Sequence, residues 1–132
     1  MPAREIVTDK VAYPPRFGSP TALGILVDNQ VFISGMLPWD VNREVVGVGD
    51  IKAQTRQALR NVEATLEAAG ATLRNIVKIT FYLTDIREKE QVWEVRKEMF
   101  GDHRPASTLV EVSHLVDPEA KLEVEAIAFL EG

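Results

Sequence analysis

Two carboxylates, Glu123 and Glu125, stand two positions apart in the stretch LEVEAIAF that runs from Leu122 to Phe129. Strand side chains alternate between faces, so Leu122, Val124, Ala126 and Ala128 point one way and Glu123, Glu125, Ile127 and Phe129 the other. Acids that share a face with Ile and Phe are not simply facing open water. Either that face meets a polar interior such as a subunit interface, or at least one acid is held in a partly dry site. In such a site burial raises a carboxyl pKa toward the range useful for proton transfer. The plain alternative, two solvated acids on a sheet margin, is left open by the alternation alone.

Other chemistry finds less support. His103, after the second predicted helix, and His114, at a strand end, fall in no ligand-spaced motif and read as loop or surface residues. The chain has no cysteine, which removes disulfides, thiolate nucleophiles and cysteine-based metal sites together. Neither GxGxxG nor GxxxxGK(S/T) occurs, so nucleotide cofactors have no motif. With 15 Lys and Arg against 20 Asp and Glu, the net charge of −5 offers no general field for phosphate backbones.

The elements that must position the acids follow from periodicity. A short opening segment, Ile6 to Val11, precedes a loop at Pro14 to Pro20. Ala22 to Val27 and Gln30 to Leu37 predict a hairpin around Asp28-Asn29. From Ile51 the period becomes helical: Ile51, Thr55, Ala58, Leu59, Val62, Leu66 and Ala69 form one stripe, with Asp50 to cap the start and Gly70 the end. Val77, Ile79, Phe81 and Leu83 alternate as a strand with one buried face, and Glu88 to Phe100 returns to helix before Gly101. Two strands follow, separated by Asp117-Pro118. The order β-β-β-α-β-α-β-β predicts an α+β two-layer sandwich, a mixed sheet with both helices on one face. Residues 1–132 read as one domain, large enough to bury a core of its own. No signal-like or membrane-length apolar run is seen, and the expected location is cytoplasmic. The face carrying Glu123, Glu125, Ile127 and Phe129 is left uncovered by the helices, which predicts its burial against another subunit.

Several segments, in this order and at these separations, resemble the YjgF/RidA family of reactive-intermediate deaminases: Ile33-Ser34-Gly35-Met36-Leu37-Pro38, Gln54 to Val62 continuing to Ala69-Gly70, Val77 to Asp85, Val110-Glu111-Val112, and Leu122 to Ala128. The resemblance implies a chorismate-mutase-like fold assembled as a homotrimer around a central β-barrel, with small-molecule clefts between subunits. Active family members hydrolyse enamines or imines there to a carbonyl compound and ammonia, without metal or organic cofactor.

Carried over residue by residue, Glu123 matches the glutamate that orients the attacking water, and Ser34 with Gly35 the strand that contacts substrate. The family's carboxylate-clamping arginine falls at Ser107, its cysteine at Leu109, its tyrosine near Thr21 and its helix asparagine at Trp93, whose plainer role is packing. A serine donates one hydrogen bond where a guanidinium makes a bidentate pair, so general 2-imino-acid deamination is expected to be poor. Arg104, three positions from Ser107, would project to the opposite strand face about 10 Å along. The readings carried forward are an enamine or imine hydrolase using Glu123 and water, a trimeric ligand-binding or interaction protein without turnover, and an endoribonuclease. The acidic balance and the lack of a basic, aromatic-lined stripe disfavour the last.

Overall fold

Strands β2 (Gly24–Val27) and β3 (Gln30–Met36) pair antiparallel with Val27 opposite Gln30, which leaves two residues for the reversal. Asp28 supplies the left-handed backbone this needs, at φ 53°. The computed structural model describes residues 2–131. The opening strand β1 (Arg4–Ile6) pairs with β2 and comes earlier than the expected Ile6 to Val11. Past Ile6 the chain turns, and the Thr8 hydroxyl accepts from Lys10 N at 3.3 Å, the local bond that diverts Ser and Thr from strands.

Helix α1 (Ile51–Ala68) begins where Asp50 accepts from Ala53 N at 3.1 Å and ends before Gly70, at φ 84°. Every residue of the predicted stripe is buried, but so are Gln54 and Asn61, polar side chains turned to the same side. In strand β4 (Ile76–Leu83) the predicted inward Val77 is 42% exposed and Ile76 is buried instead. The cause is a bulge: Ile76 lies opposite Ala128 and Lys78 opposite Ile127, so Val77 is the extra residue and the alternation restarts after it.

Helix α2 (Lys89–Phe100) crosses from β4 to β5 (Ala106–Glu111), which lies parallel to β4. The last strand, β6 (Leu122–Phe129), inserts antiparallel between β3 and β4, giving the mixed order β1-β2-β3-β6-β4-β5. Val92 and Val95 of α2, the α1 stripe, and Ile79, Phe81, Leu83, Leu122, Val124 and Ala126 of the sheet meet in one core. This is the α+β arrangement the periodicity predicts, with both helices packed on one layer of sheet.

On the sheet's other face, Ile25, Phe32 and Ile127 stand in cross-strand register, and Tyr82 pairs with both Glu123 and Val110. Phe32 and Phe129 are each 40% exposed there. Among the described residues no helix is long and apolar enough to cross a membrane.

Candidate functional site

Glu123 meets the cavity because β3 breaks register beside it. Ile33 pairs with Ala126 and Met36 with Val124, so three steps along β3 match two along β6, and Ser34 and Gly35 form the bulge. Gly35 is required for space. A Cβ built there would lie 1.8 Å from Glu123 Oε2 and 2.8 Å from its carboxyl carbon. The missing side chain therefore lets the carboxylate lie against the β3 backbone. Ser34 N donates to Leu23 O at 3.0 Å and its hydroxyl donates to Ala22 O at 2.7 Å. With its proton engaged, Ser34 Oγ offers lone pairs as an acceptor.

A cavity of about 400 Å³ opens beside this bulge, lined by Thr21, Ser34, Gly35, Arg43, Asn61 and Glu123 together with apolar side chains such as Leu23, Met36 and Trp39. A second cavity, of about 260 Å³, lies beyond Gly35 and is lined by Tyr82, His114, Glu123 and Glu125. His114, expected to be a plain loop residue, is thus brought beside both acids. His103 is committed elsewhere, with Nε2 2.9 Å from Ile76 O and its ring stacked on Phe100.

The two carboxylates are in different surroundings. Glu125 accepts a hydrogen bond from the Tyr82 hydroxyl, which raises the Tyr82 pKa above its ordinary value. Glu123 is half-buried; its pKa is raised first by loss of water and then by the neighbouring Glu125 charge. A carboxyl raised in this way is suited to holding and passing a proton.

The cavity wall is fixed by a residue that sequence patterning passes over. Asn61, 4% exposed, donates from Nδ2 to Leu37 O at 3.0 Å and Trp39 O at 2.9 Å, and accepts from Gln57 Nε2 at 3.1 Å. It ties the exit of β3 to α1. Asn61→Ala strands the Leu37 carbonyl, at a cost of about 1–3 kcal/mol. The expected outcome is a lower urea midpoint with an unchanged denaturant slope.

The remaining predicted site residues are elsewhere in the chain. Ser107 and Leu109 pair with Ile79 and Phe81, so they face the helix side of edge strand β5 and not the Glu123 side. The guanidinium at Ser107 belongs to Arg96 of α2, whose Nη1 donates to Ser107 Oγ at 2.7 Å while the group lies over Phe81 and Phe100. Burial lowers the Arg96 pKa. Trp93, 42% exposed, borders a cavity of about 460 Å³ with Arg96, Lys97, Phe100, His103 and Arg104. Thr21, Ser34, Gly35 and Glu123 thus line one cavity, and Trp93, Ser107 and Leu109 lie apart from it. Among the described residues no group of His, Asp and Glu is arranged to hold a metal ion.

The family profile described as Endoribonuclease L-PSP matches residues 19–130. The chain belongs to the YjgF/RidA family. It is 39% identical over 129 residues to a RutC family protein of Pyrococcus abyssi, covering 98% of this chain and 99% of that one. The 3-aminoacrylate deaminase RutC of Acinetobacter baylyi is 35% identical over 125 residues, 95% of this chain and 97% of its own length. The crystal structure of the YjgF gene product from E. coli superposes with a TM-score of 0.85 at 34% identity, covering 97% of this chain and 99% of that one. Within the YjgF/RidA family, then, this member has glutamate at 123, glycine at 35 and serine at 107.

Proposed function

We propose that the Glu123 cavity hydrolyses a small enamine or imine to a carbonyl compound and ammonia. The observation that carries this reading is the half-buried Glu123 carboxylate, admitted to a cavity of small-molecule size by the absent side chain of Gly35. Similarity to a 3-aminoacrylate deaminase supports a substrate of that chemical kind. For an enamine, protonated Glu123 delivers a proton to the carbon and gives the iminium ion. The resulting carboxylate then takes a proton from water as its oxygen bonds to the iminium carbon. The same group returns that proton to nitrogen; as the C–N bond breaks and ammonia leaves, the hydroxyl proton passes to the Glu123 carboxylate, which forms the carbonyl and restores the protonated acid. Ser34 Oγ, an acceptor, suits the N–H of such a substrate. No step calls on a metal or organic cofactor.

The working unit in this reading is a homotrimer whose strands form a central barrel. The open sheet face with Phe32, Ile127 and Phe129 supplies apolar surface for it, and assembly would set the Trp93 and Ser107 half-site of one subunit against the Glu123 cavity of the next. Sedimentation at micromolar concentration should give three times the 14.7 kDa chain mass; a persistent monomer removes the intersubunit cleft.

The substrate range follows from position 107. With serine there, 2-imino acids made in place by an amino-acid oxidase should be consumed slowly, near the rate without protein, as followed by semicarbazide trapping. Rapid clearance of several 2-imino acids would contradict this. Absence of turnover on either class favours a trimeric ligand-binding protein.

A further inference from the structure

The Glu123 carboxyl is open on two sides. Glu123 and Gly35 are the residues common to the cavity of about 400 Å³ and the one of about 260 Å³, so the carboxyl that reaches the first is also within reach of the second. The two spaces differ in chemistry. The larger is walled by apolar side chains such as Leu23 and Met36, whereas the smaller brings Tyr82, His114 and Glu125 to Glu123. A substrate in the larger cavity covers the carboxyl on that side and leaves the smaller side for exchange of protons with solvent.

Such an exchange is needed in every turnover. Ammonia is a stronger base than a carboxylate, so ammonia formed beside the restored Glu123 acid takes its proton and leaves as ammonium. The sum is an enamine, water and one proton giving a carbonyl compound and an ammonium ion, with Glu123 left as a carboxylate. The next enamine cannot be protonated until that proton is replaced.

The groups facing the smaller cavity decide what can replace it. Tyr82 from β4 donates its hydroxyl to Glu125 of β6, and because that bond raises its pKa the phenol keeps its proton. Gly35 from β3, and Val112 and Leu115 from the end of β5 onward, have no side-chain proton to give. His114 remains. It is exposed at the cavity wall, and imidazole is the side chain that takes up and gives protons near neutral pH. No ion pair among the described residues includes His114, so it stands clear of both carboxylates, and a space of about 260 Å³ has room for bridging water. Its position is held from two residues before, where Val112 N donates to Leu83 O at 2.7 Å.

We propose that the smaller cavity is the proton inlet of the site and that His114 reloads Glu123 through water. The imidazolium gives a proton to a hydrogen-bonded water, that water protonates the carboxylate, and the neutral imidazole recovers a proton from solvent. This rests on reading Glu123 as the acid of the reaction and adds the route and the group that restore it.

Reloading follows product formation, so it limits kcat and not kcat/KM. In ammonia release from 3-aminoacrylate, His114→Gln should lower kcat about tenfold with kcat/KM nearly unchanged, less than the roughly 10²–10⁴-fold of a group acting in the chemical step because water still delivers protons slowly. The deficit should widen above neutral pH. Imidazole added at constant pH and ionic strength should restore kcat in His114→Gln and leave the natural chain unchanged, once its effect without protein is subtracted. A structural role for His114 gives no such rescue. Natural kcat in His114→Gln, a loss that imidazole does not restore, or an equal fall in kcat and kcat/KM would each overturn the inlet. Loss of turnover in Glu123→Gln beside natural kcat in His114→Gln sinks the inlet alone, whereas near-natural turnover in Glu123→Gln sinks the acid it serves. A titration needs no turnover. The chain has two histidines, so the His114 ring resonance is the one absent from His114→Gln. It should titrate in two steps, the smaller following Glu123, and Glu123→Gln should remove the smaller step. A single step that Glu123→Gln leaves unchanged would overturn the inlet whether or not 3-aminoacrylate is a substrate.

Discussion

Glu123→Gln is expected to lower the hydrolysis of a responsive enamine by about 10²–10⁴-fold, the usual contribution of a general acid–base group. Gln keeps the length and hydrogen-bonding reach of the side chain but can neither take a proton from water nor return one to nitrogen. Stability should not suffer. The Glu123 pKa is raised in the fold by burial and by Glu125, so the folded chain favours the neutral acid. That contribution is fully present below the ordinary 4.5 and is lost as pH rises through the raised folded value, so at neutral pH the carboxylate costs stability. A neutral amide has no such cost, and the melting temperature of Glu123→Gln at pH 7 should equal or exceed that of the natural chain. Near-natural turnover in this variant would remove Glu123 from the chemistry.

Gly35→Ala is expected to reduce turnover by about 10²-fold, the scale on which a displacement near 1 Å acts in a positioned site. The added methyl would fall 1.8 Å from Glu123 Oε2, well inside contact distance, so the carboxylate must swing away from β3. The backbone is not the obstacle, because Gly35 is not among the positive-φ glycines. The loss should thus come from the displaced acid. Two variants separate this from general damage: in a Glu123→Gln background, Gly35→Ala should add little further loss, since the group it displaces is already inert. A full additional 10²-fold loss there would assign Gly35 a role independent of Glu123.

Much of this arrangement is legible in the amino-acid sequence, and the exceptions have identifiable causes. Alternation in β6 divides Leu122, Val124, Ala126 and Ala128 from Glu123, Glu125, Ile127 and Phe129, and burial follows that division because the extra residues of both bulges lie on β3 and β4, leaving β6 regular. The same rule fails at Val77, where a bulge inserts one residue and inverts the pattern at the strand's start. Ser34 and Gly35 are marked by the resemblance, but the reason for glycine, room for a carboxylate arriving from β6, is a contact across strands that β3 alone does not encode. Gln54 and Asn61 fall outside the predicted α1 stripe. They are buried because distant carbonyls, such as Glu119 O for Gln54 and Leu37 O for Asn61, come to meet them. Arg43 has no periodic or motif signal at all. Its place depends on the path of the connection between β3 and α1, and composition says of that connection only that it is polar. Ser107 shows the opposite case: the resemblance marks it as the place where an arginine is expected, whereas the arrival of Arg96 from α2 at that serine has no signal in the sequence.

The central claim is that Glu123, raised by burial and by its neighbour, performs the proton transfers. The pH dependence of kcat/KM for ammonia release from 3-aminoacrylate tests it most directly, after subtraction of the uncatalysed hydrolysis. Because the limb of that profile reports the free enzyme's essential acid, which an enamine needs protonated, activity should fall as pH rises through a midpoint above the ordinary glutamate value of 4.5. In Glu125→Gln, which removes the adjacent charge, the midpoint should move downward. A profile that is flat through this range, or a midpoint that Glu125→Gln leaves unmoved, would contradict the account.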